Sequence, residues 1–186
     1  MNNGNPSERS DLGENIGLAF RYIQQIFKET AQLMRKLDGL MGKDWRPTYG
    51  NRTTRDVTSH IDDPDYWLVE ASFRIYDSTN EPNTKKGITV VYWGENIDQP
   101  ILIVGKMDYI LDSTTQRPKR QHHWDLWDAW FERDYEERKT DGTVYQVKYE
   151  REDDYVEEAR VFAIPLISIQ SEDDIKTRVY DKLINL

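Results

Sequence analysis

From Leu12 to Met41 apolar residues return every three or four positions without a break, and few folds accommodate so long an amphipathic helix. Leu12, Ile16, Phe20, Ile23, Phe27, Met34, Leu37 and Met41 form the stripe. Ala19, Ile26, Ala31, Leu33 and Leu40 widen it. Ser10 or Asp11 suits the N-cap, and Gly39 and Gly42 suit the C-terminal end. A stripe of this kind must be covered. The expectation is burial on the rest of the domain, with Phe20, Ile23, Phe27 and Leu37 nearly inaccessible. The alternative is contact with a second copy in a homo-oligomer. Residues 1–10, polar and carrying Gly and Pro, read as a disordered tail.

Beyond the helix the period shifts from three or four to two. Tyr66–Tyr76 alternates Trp67, Val69, Ala71, Phe73 and Ile75 with polar residues, and Gly87–Trp93 and Ile101–Leu111 read as two further strands. The short polar connections between them predict an antiparallel meander, since a parallel crossover needs a dozen or more residues. Residues 43–65 read as an irregular connection. His122–Tyr135 carries Trp124, Trp127, Phe131 and Tyr135 on one helical face, which predicts a short helix fraying into a strand. Asp141-Gly142 signals a hairpin turn before the strand Val144–Glu150. Arg160–Ile169 is a buried strand in which Pro165 marks a bulge or an edge. Ser171-Glu172-Asp173-Asp174 opens a last helix that carries Ile175, Val179 and Leu183. The order predicts one α+β domain over residues 11–186. In it a mainly antiparallel sheet of about five strands has the long N-terminal helix, the short Trp-rich helix and the C-terminal helix packed on one face.

Composition narrows what such a domain can do. Mean hydropathy is −0.84, yet the 6 Trp, 11 Tyr and 5 Phe are far more aromatic residues than a disordered chain carries. Each buried ring removes about 150–250 Å² from water, so an aromatic core is expected. The chain has no cysteine, which excludes thiol catalysis, iron–sulfur ligation and disulfides. That lack, with a polar start that is no signal peptide, points to a cytoplasmic protein. No apolar run approaches the ~20 residues that span a bilayer. The net charge of −9 splits into +2 over residues 1–60, −3 over 61–120 and −8 over 121–186. Such acidity disfavours nucleic-acid binding.

The histidines are three, His60, His122 and His123. His122 and His123 precede Asp125 and Asp128, which a helix would place on one face. Histidine nitrogen and carboxylate oxygen at that spacing suit a metal ion or a proton-transfer pair. A metal site needs three or four convergent ligands and nothing else here has the spacing, so no metal and no cofactor are expected. The simpler reading is a helix start, where carboxylates suit the positive end. Trp127 and Trp130 are binding candidates, because three tryptophans in seven residues cannot share one helical face and an exposed one suits an interface. Trp130 is the one the spacing turns away from the others. Arg52 and Arg55, in the basic loop Arg46–Arg55, could fork onto a phosphate or carboxylate. The acidic stretches Glu132–Glu137 and Glu150–Glu158 could meet a basic partner, or simply be solvated. Together these features point to a non-catalytic interaction or regulatory domain of unknown protein partner. The alternatives are a hydrolase or metal-dependent enzyme built on His122, His123, Asp125 and Asp128, and an acidic nucleic-acid mimic.

Overall fold

The structure, a computed structural model, describes residues 6–55, 57, 60–62, 64–94, 97–118, 120–132, 138–151 and 154–186. The chain divides into two compact units, Met1–Arg35 and Lys36–Leu186. The helix α1 spans Pro6–Met41 and so begins inside the segment expected to be a tail; residues 1–5 lie outside the described residues. Its stripe changes character along its length. Leu33, Met34, Leu37 and Met41 are buried, whereas Leu12, Ile16, Phe20 and Ile26 are 61%, 52%, 60% and 36% exposed. Ile23 and Phe27 are half-buried. The expectation of a wholly buried stripe is therefore corrected: of the four residues expected inside, only Leu37 is fully enclosed. Helical spacing identifies an apolar face but says nothing of what covers it.

In the second unit seven strands form one antiparallel sheet: β1 Trp45–Pro47, β2 Thr54–Arg55, β3 Ala71–Ser78, β4 Thr84–Val91, β5 Ile101–Tyr109, β6 Tyr145–Lys148 and β7 Val156–Pro165. Their order is β1-β3-β4-β5-β7-β6, with β2 also paired to β3. The expected meander is β3-β4-β5. Two short edge pieces come from the connection read as irregular. The expected first strand begins late, because Pro64–Trp67 is a 3-10 turn in which the Trp67 indole donates to the His60 carbonyl at 2.8 Å. Pro165 ends β7 opposite Ile101, and the bulge lies instead at Asp108/Tyr109 on β5. Gly142, at φ +86°, makes the expected turn. That turn ties to β7 through its amide and the Ala163 carbonyl (2.9 Å) and leads into β6.

Side chains alternate across the sheet, and both faces are covered, where helices on one face were expected. One face carries Phe73, Ile75, Ile103, Met107, Tyr109 and Val161 and packs against the helix α2, Asp125–Phe131. Its docking point is cut into the sheet. Ile75, Gly87, Gly105 and Val161 lie opposite one another on successive strands, and the two glycines leave a notch filled by Leu126. A Cβ at Gly105 would stand 2.6 Å from a Leu126 methyl and 2.8 Å from the Arg160 carbonyl oxygen.

The other face bears a polar cross-strand row, Tyr76, Lys86, Lys106 and Arg160. The C-terminal helix lies over this face: a short α-helical start Glu172–Asp174, a π-helical stretch Ile175–Tyr180 and an α-helical end Asp181–Ile184. Lys86 donates to the Ile184 carbonyl (2.9 Å) and Arg160 to that of Leu186 (3.1 Å), so cations meet the negative end of the helix. Burial, and Lys106 beside it, hold the Lys86 ammonium below its ordinary value. Ile175, Val179 and Leu183 are buried as the sequence predicts, and the Ser171 hydroxyl caps the Asp174 amide at 3.1 Å. The end of α1 joins this face through Asp38, which pairs with Arg74 and Tyr76 of β3.

Candidate functional site

The Trp-rich segment is held by a carboxylate rather than organised around one that is free to react. Asp125, only 3% exposed, opens α2 and turns its side chain back into the protein. Its Oδ2 accepts from the Tyr109 hydroxyl at 2.6 Å and from the His122 amide at 2.8 Å, and its Oδ1 accepts from the Tyr155 hydroxyl at 2.7 Å. One carboxylate thus joins the end of β5, the approach to β7 and the start of α2. A general base needs an open lone pair within reach of substrate; here both oxygens are engaged and enclosed. Asp128, one turn on, accepts from Tyr149 at 3.2 Å.

The histidines are placed by stacking. His122 and His123 lie ring on ring at 4.4 Å, and His123 meets Phe73 edge-on at 5.0 Å. The His122 Nδ1 accepts from the Trp124 amide at 3.4 Å. Among the described residues no three His, Asp or Glu side chains are grouped to hold a metal ion. Of the tryptophans, Trp130 is the buried one, with Leu126 and Ala129, and meets Tyr145 edge-on at 5.8 Å. Trp124 and Trp127 are half-buried, and the Trp127 indole N–H is enclosed with no hydrogen-bond partner in the structure. Tyr135, placed with them by the sequence, lies outside the described residues, as do most of the 132–137 stretch and Glu152 and Asp153.

Arg52 and Arg55 are not brought to this cluster. Both side chains are exposed; Arg55 pairs opposite Ser72, on the sheet face away from Phe73 and His123. The loop contributes backbone instead, since the Gly50 and Arg52 carbonyls accept from Arg74 at 2.6 and 3.0 Å. The tyrosine ligands of Asp125 went unnoticed in the sequence. Tyr109 precedes Asp125 by 16 residues and Tyr155 follows it by 30, and no local spacing signals a pairing of that range.

An open hollow of about 630 Å³ lies elsewhere, lined among others by Glu81, Asp108, Glu157 and Glu158 with Lys148 and Arg160. Partial burial would raise the Glu158 carboxyl, but hydrogen bonds from Gln146 and Arg160 hold it below its ordinary value. Asp108 is tied to Thr84 (2.6 Å) and Lys106 (3.1 Å). Asp108 and Glu158 are thus paired within the fold.

Burial first, and then the charge of the neighbouring carboxylate together with the hydrogen bond to it, push the phenols of Tyr76, Tyr109 and Tyr155 above their ordinary value. A phenol raised in the folded state holds its proton where the unfolded chain has lost it. Its stabilising effect is therefore complete below about pH 10 and is lost as pH rises beyond that. Unfolding midpoints in urea are expected to hold steady up to that point and then fall steeply. Tyr109→Phe should flatten the fall. An alkaline limb of equal slope in that variant would contradict the assignment.

Comparison with protein-family models, with curated proteins and with solved structures gave no match. Among the described residues no helix is long and apolar enough to cross a membrane.

Proposed function

We propose that this chain is a non-catalytic protein-interaction module that docks through the exposed stripe of α1. The observation that carries this reading is the run of large apolar side chains at Leu12, Ile16, Phe20 and Ile26, open to solvent along one helix. Folded proteins rarely leave contiguous apolar patches beyond a few hundred Å² uncovered, and those that do use them for binding. Two further features support it. The His122–Asp128 segment, the best sequence candidate for chemistry, spends its polar groups on holding α2 in place. Two carboxylates of the acidic hollow, Asp108 and Glu158, have internal partners. A photo-crosslinking amino acid at Phe20, in the cell that makes the protein, should yield discrete protein adducts. The same group at Arg21, on the opposite side of the helix, should not. Equal labelling at both positions, or none at either, would remove the proposal.

A further inference from the structure

We infer that the occupant of the α1 stripe is a second copy of this chain, joined helix to helix. The inference rests on the interaction reading above and names its partner. Leu12, Ile16, Ala19, Ile23, Ile26 and Thr30 alternate spacings of four and three, and the alternation continues unbroken to Leu40. A strict seven-residue repeat keeps a seam facing a partner helix, whereas a straight helix on a sheet drifts about 20° per seven residues and needs no such register. Phe20 and Phe27 each stand four residues beyond an isoleucine of the seam and broaden it to three positions in seven.

Only part of this seam is free. Leu33 and Leu37 are buried, while Leu12, Ile16, Phe20 and Ile26 stay open. The open positions, from Leu12 to Ile26, span about 21 Å along the axis, two heptads. Side chains this large, open over such a length, offer an apolar patch on the order of several hundred Å². That is the scale of the roughly 800 Å² each partner gives to a stable complex.

Charge selects the occupant. Between residues 12 and 32 Glu14 and Glu29 balance Arg21 and Lys28, although the whole chain carries −9. A helix made to lie on a membrane carries Lys and Arg in excess on its polar side, and a strongly charged partner would require a complementary excess. A balanced helix can meet its own copy without like-charge repulsion. Here two copies of an acidic protein can approach without net charge repulsion.

The test is the mass of the full chain in solution by sedimentation equilibrium across a range of micromolar concentrations. The wild type should approach twice 22.1 kDa. Ile16→Glu with Phe20→Glu should return it to 22.1 kDa with unchanged near-ultraviolet circular dichroism, since neither side chain is enclosed. As the chain has no cysteine, Gln24→Cys accepts one nitroxide per chain. Dipolar coupling between two copies should appear and vanish with the double substitution. A wild type that stays at the monomer mass without coupling overturns the inference, and so does an assembly that survives the double substitution. Adducts to a different protein at Phe20 from a monomeric chain would overturn self-association while leaving the interaction reading in place. Sedimentation of a monomeric wild type with vesicles of anionic lipid would assign the stripe to a membrane and overturn both.

Discussion

Asp38→Ala is expected to lower folding stability by about 3 kcal/mol, the low end of the cost of removing one partner from a buried ion pair, since the Asp38 side chain is itself 28% exposed. Arg74 is nearly buried and reaches Asp38 through two bonds, Nε to Oδ1 at 2.9 Å and Nη2 to Oδ2 at 2.5 Å. Burial alone would lower the guanidinium's pKa, and the carboxylate more than reverses that. Without Asp38 the charge stays inside facing, among the described residues, the Gly50 and Arg52 carbonyls, and the Tyr76 hydroxyl loses its acceptor. Denaturant unfolding of three variants measures it. Asp38→Asn should fall between wild type and Asp38→Ala, because it keeps an acceptor and drops the charge. Arg74→Met combined with Asp38→Ala should be less damaging than Asp38→Ala alone, because the stranded charge is gone. A midpoint unchanged by Asp38→Ala would show that the pair holds nothing together.

Leu126→Ala should have an effect of similar size, about 3–5 kcal/mol, the upper part of the range for an enclosed leucine. The size follows from the site's inability to collapse. The floor beneath Leu126 is backbone at Gly87 and Gly105, flanked by Ile75 and Val161, so no flexible side chain can swing into the space. The reciprocal change, Gly105→Val, fills the notch from below and should expel α2. The diagnostic result is a variant pair: Gly105→Ala should cost less in the Leu126→Ala background than in the wild type, because the Leu126 methyl that its Cβ would meet is gone while the Arg160 carbonyl oxygen at 2.8 Å remains. If the two losses simply add, the notch is not the seat of the helix.

How much of this was legible in the sequence depended on how far apart partners lie. The period of α1, the β3-β4-β5 meander and the Ser171 cap depend on near neighbours and were read correctly. The coverage of the sheet was not. Ser72 and Arg74 alternate with apolar residues just as side chains on an open face would, and Lys86 reads as the end of a polar loop over 77–86, which together suggest a sheet covered on one side. They are buried because their partners come from distant segments: Asp38 lies 36 residues before Arg74, and the Ile184 carbonyl 98 residues after Lys86. A polar residue with a remote partner looks, in sequence, like a polar residue in water. The same limit shaped the site. His122, Asp125 and Asp128 stood out as a cluster, but whether Asp125 was free depended on Tyr109 and Tyr155. For Trp130 the missing information was the direction of the seven-residue helix, which the buried trio Leu126, Ala129 and Trp130 sets.

The glycine notch also bears on the order in which the protein assembles. A helix of seven residues is too short to persist alone in water, where isolated helices below about 12–15 residues are marginal. The slot that would hold it does not exist until β3, β4, β5 and β7 have aligned Ile75, Gly87, Gly105 and Val161. Winding of α2 and its seating are therefore expected to coincide and to follow alignment of the sheet. The aromatic segment from His122 to Phe131 acquires its shape from a surface built elsewhere in the chain, and what addresses it to that place is the absence of two side chains.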